Sequence, residues 1–182
     1  MKCQLCGNES FKRVDNREFA MCTECGSLER HRLIYDLFRD LITDTRKRVL
    51  HIYPWHCWAK FFKKHKYYTV SRHDLTDTVF RDDMFDIVIA SHVMEHIFDD
   101  VKALSECYRI LKPGGVAILP VPIGDKDIDL PIDASQGTKI SVTGNRDHLH
   151  AYTVEGYMAK MASAGFDAFV DTTEEPIIWG RK

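Results

Sequence analysis

Apolar side chains recur every three or four positions through Leu28, Leu33, Ile34, Leu37, Phe38, Leu41 and Ile42. Glu29, Arg30, Arg32, Asp36 and Arg39 fall mostly on the other face, so residues 28–44 read as an amphipathic helix. From residue 48 the period shortens. "RVLHIY", "YYTVS", "FDIVIAS" and "GVAILPVPI" are short apolar runs of the kind buried strands show. Between them "WAKFFKKHK" predicts a short helix. "DDVKALSECYRILK" predicts an amphipathic helix entered at Asp99 or Asp100 and ended by Pro113-Gly114-Gly115. "TVEGYMAKMASAG" predicts a helix with Thr153 as its N-cap and Gly165 as its stop. "FDAFVDT" and "PIIWG" close the chain as strands. Strands alternating with helices imply a doubly wound, mostly parallel α/β sheet. Residues 124–147 have turn residues and no period, which predicts one long loop.

Residues 1–27 stand outside this pattern. They are polar, turn-rich and too few to build a core, yet they hold four of the six cysteines. Cys3-x-x-Cys6-Gly and Cys22-x-x-Cys25-Gly are matching knuckles, each able to place two thiolates on adjacent corners of a tetrahedron. Together they predict a small zinc ribbon whose four ligands leave no open position, so that the zinc is structural. Cys57 and Cys107 stand apart and read as buried thiols. The expected division is a ribbon over 1–27 and an α/β domain over 28–182, led by the helix at 28–44.

With 182 residues, 45% of them hydrophobic and a formal net charge of -2, the chain is sized for one domain with a small appendage. It carries no global basic field toward nucleic acid or anionic membrane. "KFFKKHK" is its one basic cluster, and a solvated helix face explains it. No apolar run approaches a membrane span and the first residues contain no apolar leader, so a cytoplasmic setting is expected.

Ser91-His92-Val93-Met94-Glu95-His96 contains H-x-x-E-H, a zinc-peptidase signature when it lies within a long helix. Here it follows a buried strand directly and precedes a new helix start. It therefore sits at a strand's carboxyl end, where open α/β sheets bind ligands, and metal ligation is not expected there. "FDIVIASHVMEHIFDDVKALSECYRILKPGGVAILPVPI" resembles the core of class I S-adenosylmethionine-dependent methyltransferases of the type 11 group. The matching parts are Phe85-Asp86, His92 to His96, and Arg109 to Gly115. "DHLHAYTVEGYMAKMASAGF" and "CGSLERHRLIYDLF" are similar to the last helix entry and to a zinc-ribbon subgroup. The resemblance implies a Rossmann-like methyltransferase sheet, truncated around its second and third strands because no helix is predicted between them.

It also implies a cofactor site. Tyr53-Pro54-Trp55 takes the place of the first-strand turn, which here has no glycine. Asp74 takes the adenine-side position, with Leu75 packing on the ring. Ser91 and His92 line the sulfonium, while Glu95 and His96 cap or buttress the turn. Methyl transfer to oxygen or nitrogen needs a proton acceptor, a task suited to neutral histidine. The candidates are His148, then His150 and His92, with Tyr152 orienting the acceptor and the 124–147 loop closing over it. The expected acceptor is a small molecule or sugar-type metabolite. A degenerate fold serving as a zinc-ribbon binding module is the rival, and an RNA methyltransferase a further alternative.

Overall fold

The computed structural model describes residues 1–171 and 176–182. They divide into two compact units, residues 1–47 with 54–68 and residues 48–53 with 69–182.

In the first unit, β1 (Phe11–Val14) and β2 (Arg17–Cys22) form an antiparallel hairpin with Phe11 opposite Cys22. It is followed by α1 (Glu29–Ile42), whose Ile34, Phe38 and Ile42 are buried as the apolar stripe predicts. Arg32 is buried too. Its guanidinium donates to the Ala20 and Ser27 carbonyls at 3.1 and 2.9 Å, tying α1 to the hairpin. The expected boundary at residue 27 thus falls inside this unit. Helix α2 (His56–Phe61) continues into one 3₁₀ turn at 62–64, and Phe62 stacks on Tyr68 with ring centroids 4.4 Å apart.

The second unit carries β3 (Val49–Ile52), most of β4 (Tyr68–Ser71), β5 (Phe85–Ile89), α3 (Asp100–Ile110) and β6 (Leu111–Ile118). After these come β7 (Ile128–Asp129), α4 (Gln136–Thr143), β8 (His150–Ala151), α5 (Val154–Ser163), β9 (Asp167–Asp171) and β10 (Ile177–Arg181). The main sheet has the order β4-β3-β5-β6-β10-β9. β3, β5 and β6 run parallel, and their near-continuous apolar sequences follow from burial on both faces. β10 is antiparallel to both β6 and β9, so the sheet is mixed at that end. Helix α3 packs on β6 and on α5, which in turn covers β9 and β10. Residues 72–84 form no helix or strand, so the sheet is truncated beyond β4 among the described residues. This is a Rossmann-like α/β architecture.

Two local expectations change. Helix α3, capped by the Asp99 side chain on the Lys102 amide, stops at Ile110, and Pro113-Gly114-Gly115 lies within β6 as an irregularity against β5. Gly114 takes a left-handed φ of 76°, which lets the backbone turn inside the strand. The 124–147 segment is not one loop, since it contains β7 and α4. Helix α4 buries no residue, which is why no apolar period announced it; Ser135 at its start and Gly144 at its end (φ 75°) were the only signals. Thr172, the last residue of the strand predicted before β10, lies outside the described residues.

Candidate functional site

Two adjacent parallel strands, β3 and β5, end at the same edge of the sheet, and the chain turns sharply after each. Tyr53 and His92, the residues at these turns, both take left-handed backbone, with φ of 46° and 55°. That conformation costs an L-residue about 1–2 kcal/mol. Hydrogen bonds hold it. The Tyr53 amide donates to the Ser71 carbonyl at 3.0 Å and its hydroxyl to the Arg72 carbonyl at 2.6 Å. The His92 amide donates to the Pro120 carbonyl at 2.9 Å, extending the β5–β6 pairing past the strand. Between the two turns lies an open cavity of about 420 Å³ lined by Tyr53, His92, Val93, His96, Ile97 and Asp147. Its size and mixed apolar and polar lining are those of a small-molecule site.

Beneath the cavity is a buried carboxylate. Glu95 sits in a 3₁₀ turn, Met94–His96, is 1% exposed, and among the described residues neither of its oxygens has a hydrogen-bond partner. Three histidines surround one of those oxygens, Oε1. His92 Nδ1 is 3.4 Å away, His96 Nε2 3.9 Å and His148 Nε2 4.0 Å. The chain reaches His148 only after the 124–147 segment. It is pinned there because the Leu149 amide donates to the Glu95 carbonyl at 2.7 Å. His96 Nδ1 meets the Asp147 carbonyl at 3.1 Å, a second tie between the same two segments. Burial pushes the His148 imidazole below its ordinary pKa, with Glu95 opposing that shift.

The remaining predicted residues are spread more widely. His150 is buried, and both its ring nitrogens are engaged: Nδ1 with Asp129 Oδ1 at 2.6 Å and Nε2 with the Ile97 carbonyl at 2.8 Å. Lys160 Nζ joins this cluster, donating to Asp129 and Asp100 at 2.7 and 2.8 Å. Lys160 also holds the Asp129 carboxyl below its usual range. Tyr152 is buried, with its hydroxyl donated to Asp100 at 2.9 Å. Asp74 accepts from the Thr76 amide and hydroxyl at 2.8 Å each, as a turn residue does, and Leu75 is packed in the core. Ser91 is buried at the end of the β5 run, and its hydroxyl has no hydrogen-bond partner among the described residues. Pro54 and Trp55 belong to the first unit, where the half-exposed Trp55 ring lies near His31 and Arg30. Sequence reasoning missed Asp147, which contributes through its main-chain carbonyl and so leaves no side-chain signature.

In the first unit, Cys3, Cys6, Cys22 and Cys25 converge, with sulfur atoms within 4.8 Å of one another. The closest pairs, Cys3–Cys25 and Cys6–Cys22, are 3.7 and 3.6 Å apart. A tetrahedral zinc with Zn–S of about 2.3 Å spaces its sulfurs by about 3.8 Å, so the four thiols fit that ion. Asn8 directs an amide N–H at Cys22 Sγ (3.6 Å), a contact that supports a thiolate.

A family model described as a methyltransferase domain matches residues 38–119. A probable S-adenosylmethionine-dependent methyltransferase of Mycolicibacterium smegmatis is 31% identical over 84 residues, 46% of this chain and 33% of that protein. A demethylmenaquinone methyltransferase of Clavibacter sepedonicus is 30% identical over 92 residues, 47% of this chain and 38% of that one. The aligned stretches thus span little more than a third of these relatives. An S-adenosylmethionine-dependent methyltransferase structure from Mesorhizobium loti superposes with a TM-score of 0.56 at 16% identity, covering 81% of this chain and 97% of that one. The fold is that of the Rossmann-like methyltransferases.

Proposed function

We propose that the chain is an S-adenosylmethionine-dependent methyltransferase acting on a small-molecule acceptor, with cofactor and acceptor meeting in the cavity at the carboxyl ends of β3 and β5. The observation that carries this reading is the placement of that cavity. It opens at the edge where open α/β sheets take ligands, and two strained turns shape it. The buried hydroxyl of Ser91 at the same edge has no hydrogen-bond partner among the described residues and fits a polar ligand atom. The cofactor supplies a methyl group on an already activated sulfonium, so the protein has to position the acceptor and accept its proton. His92 and His96 line the cavity directly. His92 is the proposed proton acceptor, with Glu95 Oε1 3.4 Å from its Nδ1. His148 sits behind them and supports the pair. The engaged nitrogens of His150 suit it to a structural role. The segment carrying α4, with Ile132, Ile140 and Val142 exposed, is the proposed cover for the acceptor. Zinc held by the four cysteines is proposed to be structural.

A demethylmenaquinone methyltransferase among the relatives supports a small-molecule acceptor. The competing reading is a binding module on a degenerate fold, favoured by the bulk of Tyr53 at a turn where glycine would leave space. Calorimetry with S-adenosylhomocysteine separates the two. Measurable binding to the unaltered chain is the expected result. No heat at millimolar ligand rejects the enzyme.

A further inference from the structure

We propose that Glu95, His96 and His148 bind a divalent transition-metal ion of the zinc type, at a site separate from the four cysteines. The site stands on its own geometry, whether or not the chain transfers a methyl group. One oxygen and two imidazole nitrogens from these residues lie within 4.8 Å of one another. Donors at about 2.1 Å from one tetrahedral ion lie about 3.4 Å apart. Oε1 of Glu95 lies 3.9 and 4.0 Å from the two nitrogens, so binding an ion draws each ring inward by about 0.5 Å.

The hydrogen-bond pattern points the donors inward. The Asp147 carbonyl can only accept, so His96 Nδ1 carries the hydrogen, and Nε2 of the neutral ring presents its lone pair toward Glu95. A main-chain carbonyl fixing one imidazole nitrogen while the other meets a metal is the usual support of a histidine ligand. In the neutral form of His96 a nitrogen lone pair thus faces a carboxylate that is 1% exposed and that accepts no hydrogen bond on either oxygen among the described residues. Burying such a group unpaired is costly, and a cation between the donors removes that cost. His92 Nδ1, 3.4 Å from the same oxygen, steadies the carboxylate from the cavity side.

A second cluster, Asp100, Asp129 and His150, shows the contrast. It also gathers possible ligands, but Lys160 Nζ already lies 2.8 and 2.7 Å from its carboxylates and supplies the cation. No lysine or arginine pairs with Glu95 among the described residues. Two histidines and one carboxylate leave coordination positions unfilled. His96 lines the cavity and its side chain is 41% exposed, so water or an oxygen donor can reach the site from the cavity.

The test is zinc stoichiometry and ligand type in the full chain. Titration with zinc should give two equivalents, and the His96→Ala/His148→Ala double variant should keep one, with an unchanged far-ultraviolet spectrum. Glu95→Gln should weaken the second equivalent at least tenfold. One equivalent in the unaltered chain overturns the proposal, as does a second equivalent that persists in the double variant. Zinc-edge X-ray absorption of the unaltered chain with two equivalents needs no variant to fold. A mixed sulfur and nitrogen/oxygen shell with histidine scattering is expected, and an all-sulfur shell overturns the site.

Discussion

Tyr53 shows how a single residue shapes the cavity. The turn after β3 needs left-handed backbone, and a tyrosine supplies it at a cost while anchoring its hydroxyl on the Arg72 carbonyl. Replacing it by glycine removes the strain and the anchor together, effects of about 1 kcal/mol each and of opposite sign. Thermal unfolding of Tyr53→Gly should therefore stay within about 1 kcal/mol of the unaltered chain. Tyr53→Ile keeps the φ, adds a β-branch and loses the anchor, so it should lose about 2 kcal/mol or more. Equal stability of the two variants would mean that the turn relaxes out of the left-handed region. Glu95 carries the opposite lesson, because its sequence neighbours suggest a turn buttress while its surroundings are three imidazoles.

At the scale of elements, α3 is fixed to the loop before β5 by charge. Arg109 donates to both oxygens of Glu106 at 2.7 and 2.8 Å, and Thr78 adds its amide and hydroxyl at 3.0 Å each. These contacts, Arg109 foremost, hold the Glu106 carboxyl near about 2 against an ordinary 4.5. A carboxyl depressed in the folded state stabilises above its unfolded pKa, and that stability is lost as pH falls from about 4.5 toward 2. With the side chain 17% exposed, about 2 kcal/mol is at stake after allowance for solvent screening. Glu106→Gln should thus be less stable than the unaltered chain at pH 6. In acid titration of unfolding, the gap should close by pH ~2, where the native carboxyl is also protonated.

Helix α4 is a different kind of element, held by its ends rather than by a buried face. The Ser135 hydroxyl accepts from the Thr138 amide at 3.1 Å, and Gly144 closes the other end. Ser135→Ala should speed amide exchange across 136–143 and change global stability by less than about 0.5 kcal/mol, because nothing packs on the helix. A large loss of stability would show that α4 carries core contacts.

For the molecule as a whole, the two units make a testable contrast in their lone cysteines. Cys57 and Cys107 are both buried, and burial pushes each thiol up to about 12. Cys57 shares its unit with the four-cysteine cluster, where its sulfur lies 3.6 Å from His31 Nδ1. Cys107 lies in the core of the other unit. If zinc at the cluster organises the first unit, a strong chelator should open Cys57 to a thiol reagent together with the four ligands. Cys107 should stay protected until denaturant is added. Reaction of Cys107 at the same rate as Cys57 would show that metal loss unfolds both units as one. Among the described residues no helix is long and apolar enough to cross a membrane.

The amino-acid pattern by itself determined the succession of the main-sheet strands and the helices that pack on them, the cap at Thr153 and the stop at Gly165, and the gap after β4, while leaving Asp99 and Asp100 as alternatives for the start of α3. These are local or periodic properties, written in residue order. It also paired the knuckles of the four-cysteine cluster, since metal spacing is short-range. Helix α4 escaped because an element that buries nothing has no period to read. Tertiary structure alone decided the company of Glu95. H-x-x-E-H looked incomplete because its third partner, His148, is fifty residues away in the chain and arrives through the Leu149 and Asp147 main-chain ties. The same folding turned His150 away into the Lys160 cluster, although only Leu149 separates it from His148. Which of two near-neighbour histidines reaches Glu95 depends on the local backbone path and on the partners that long-range packing supplies, and neither is encoded by spacing along the chain.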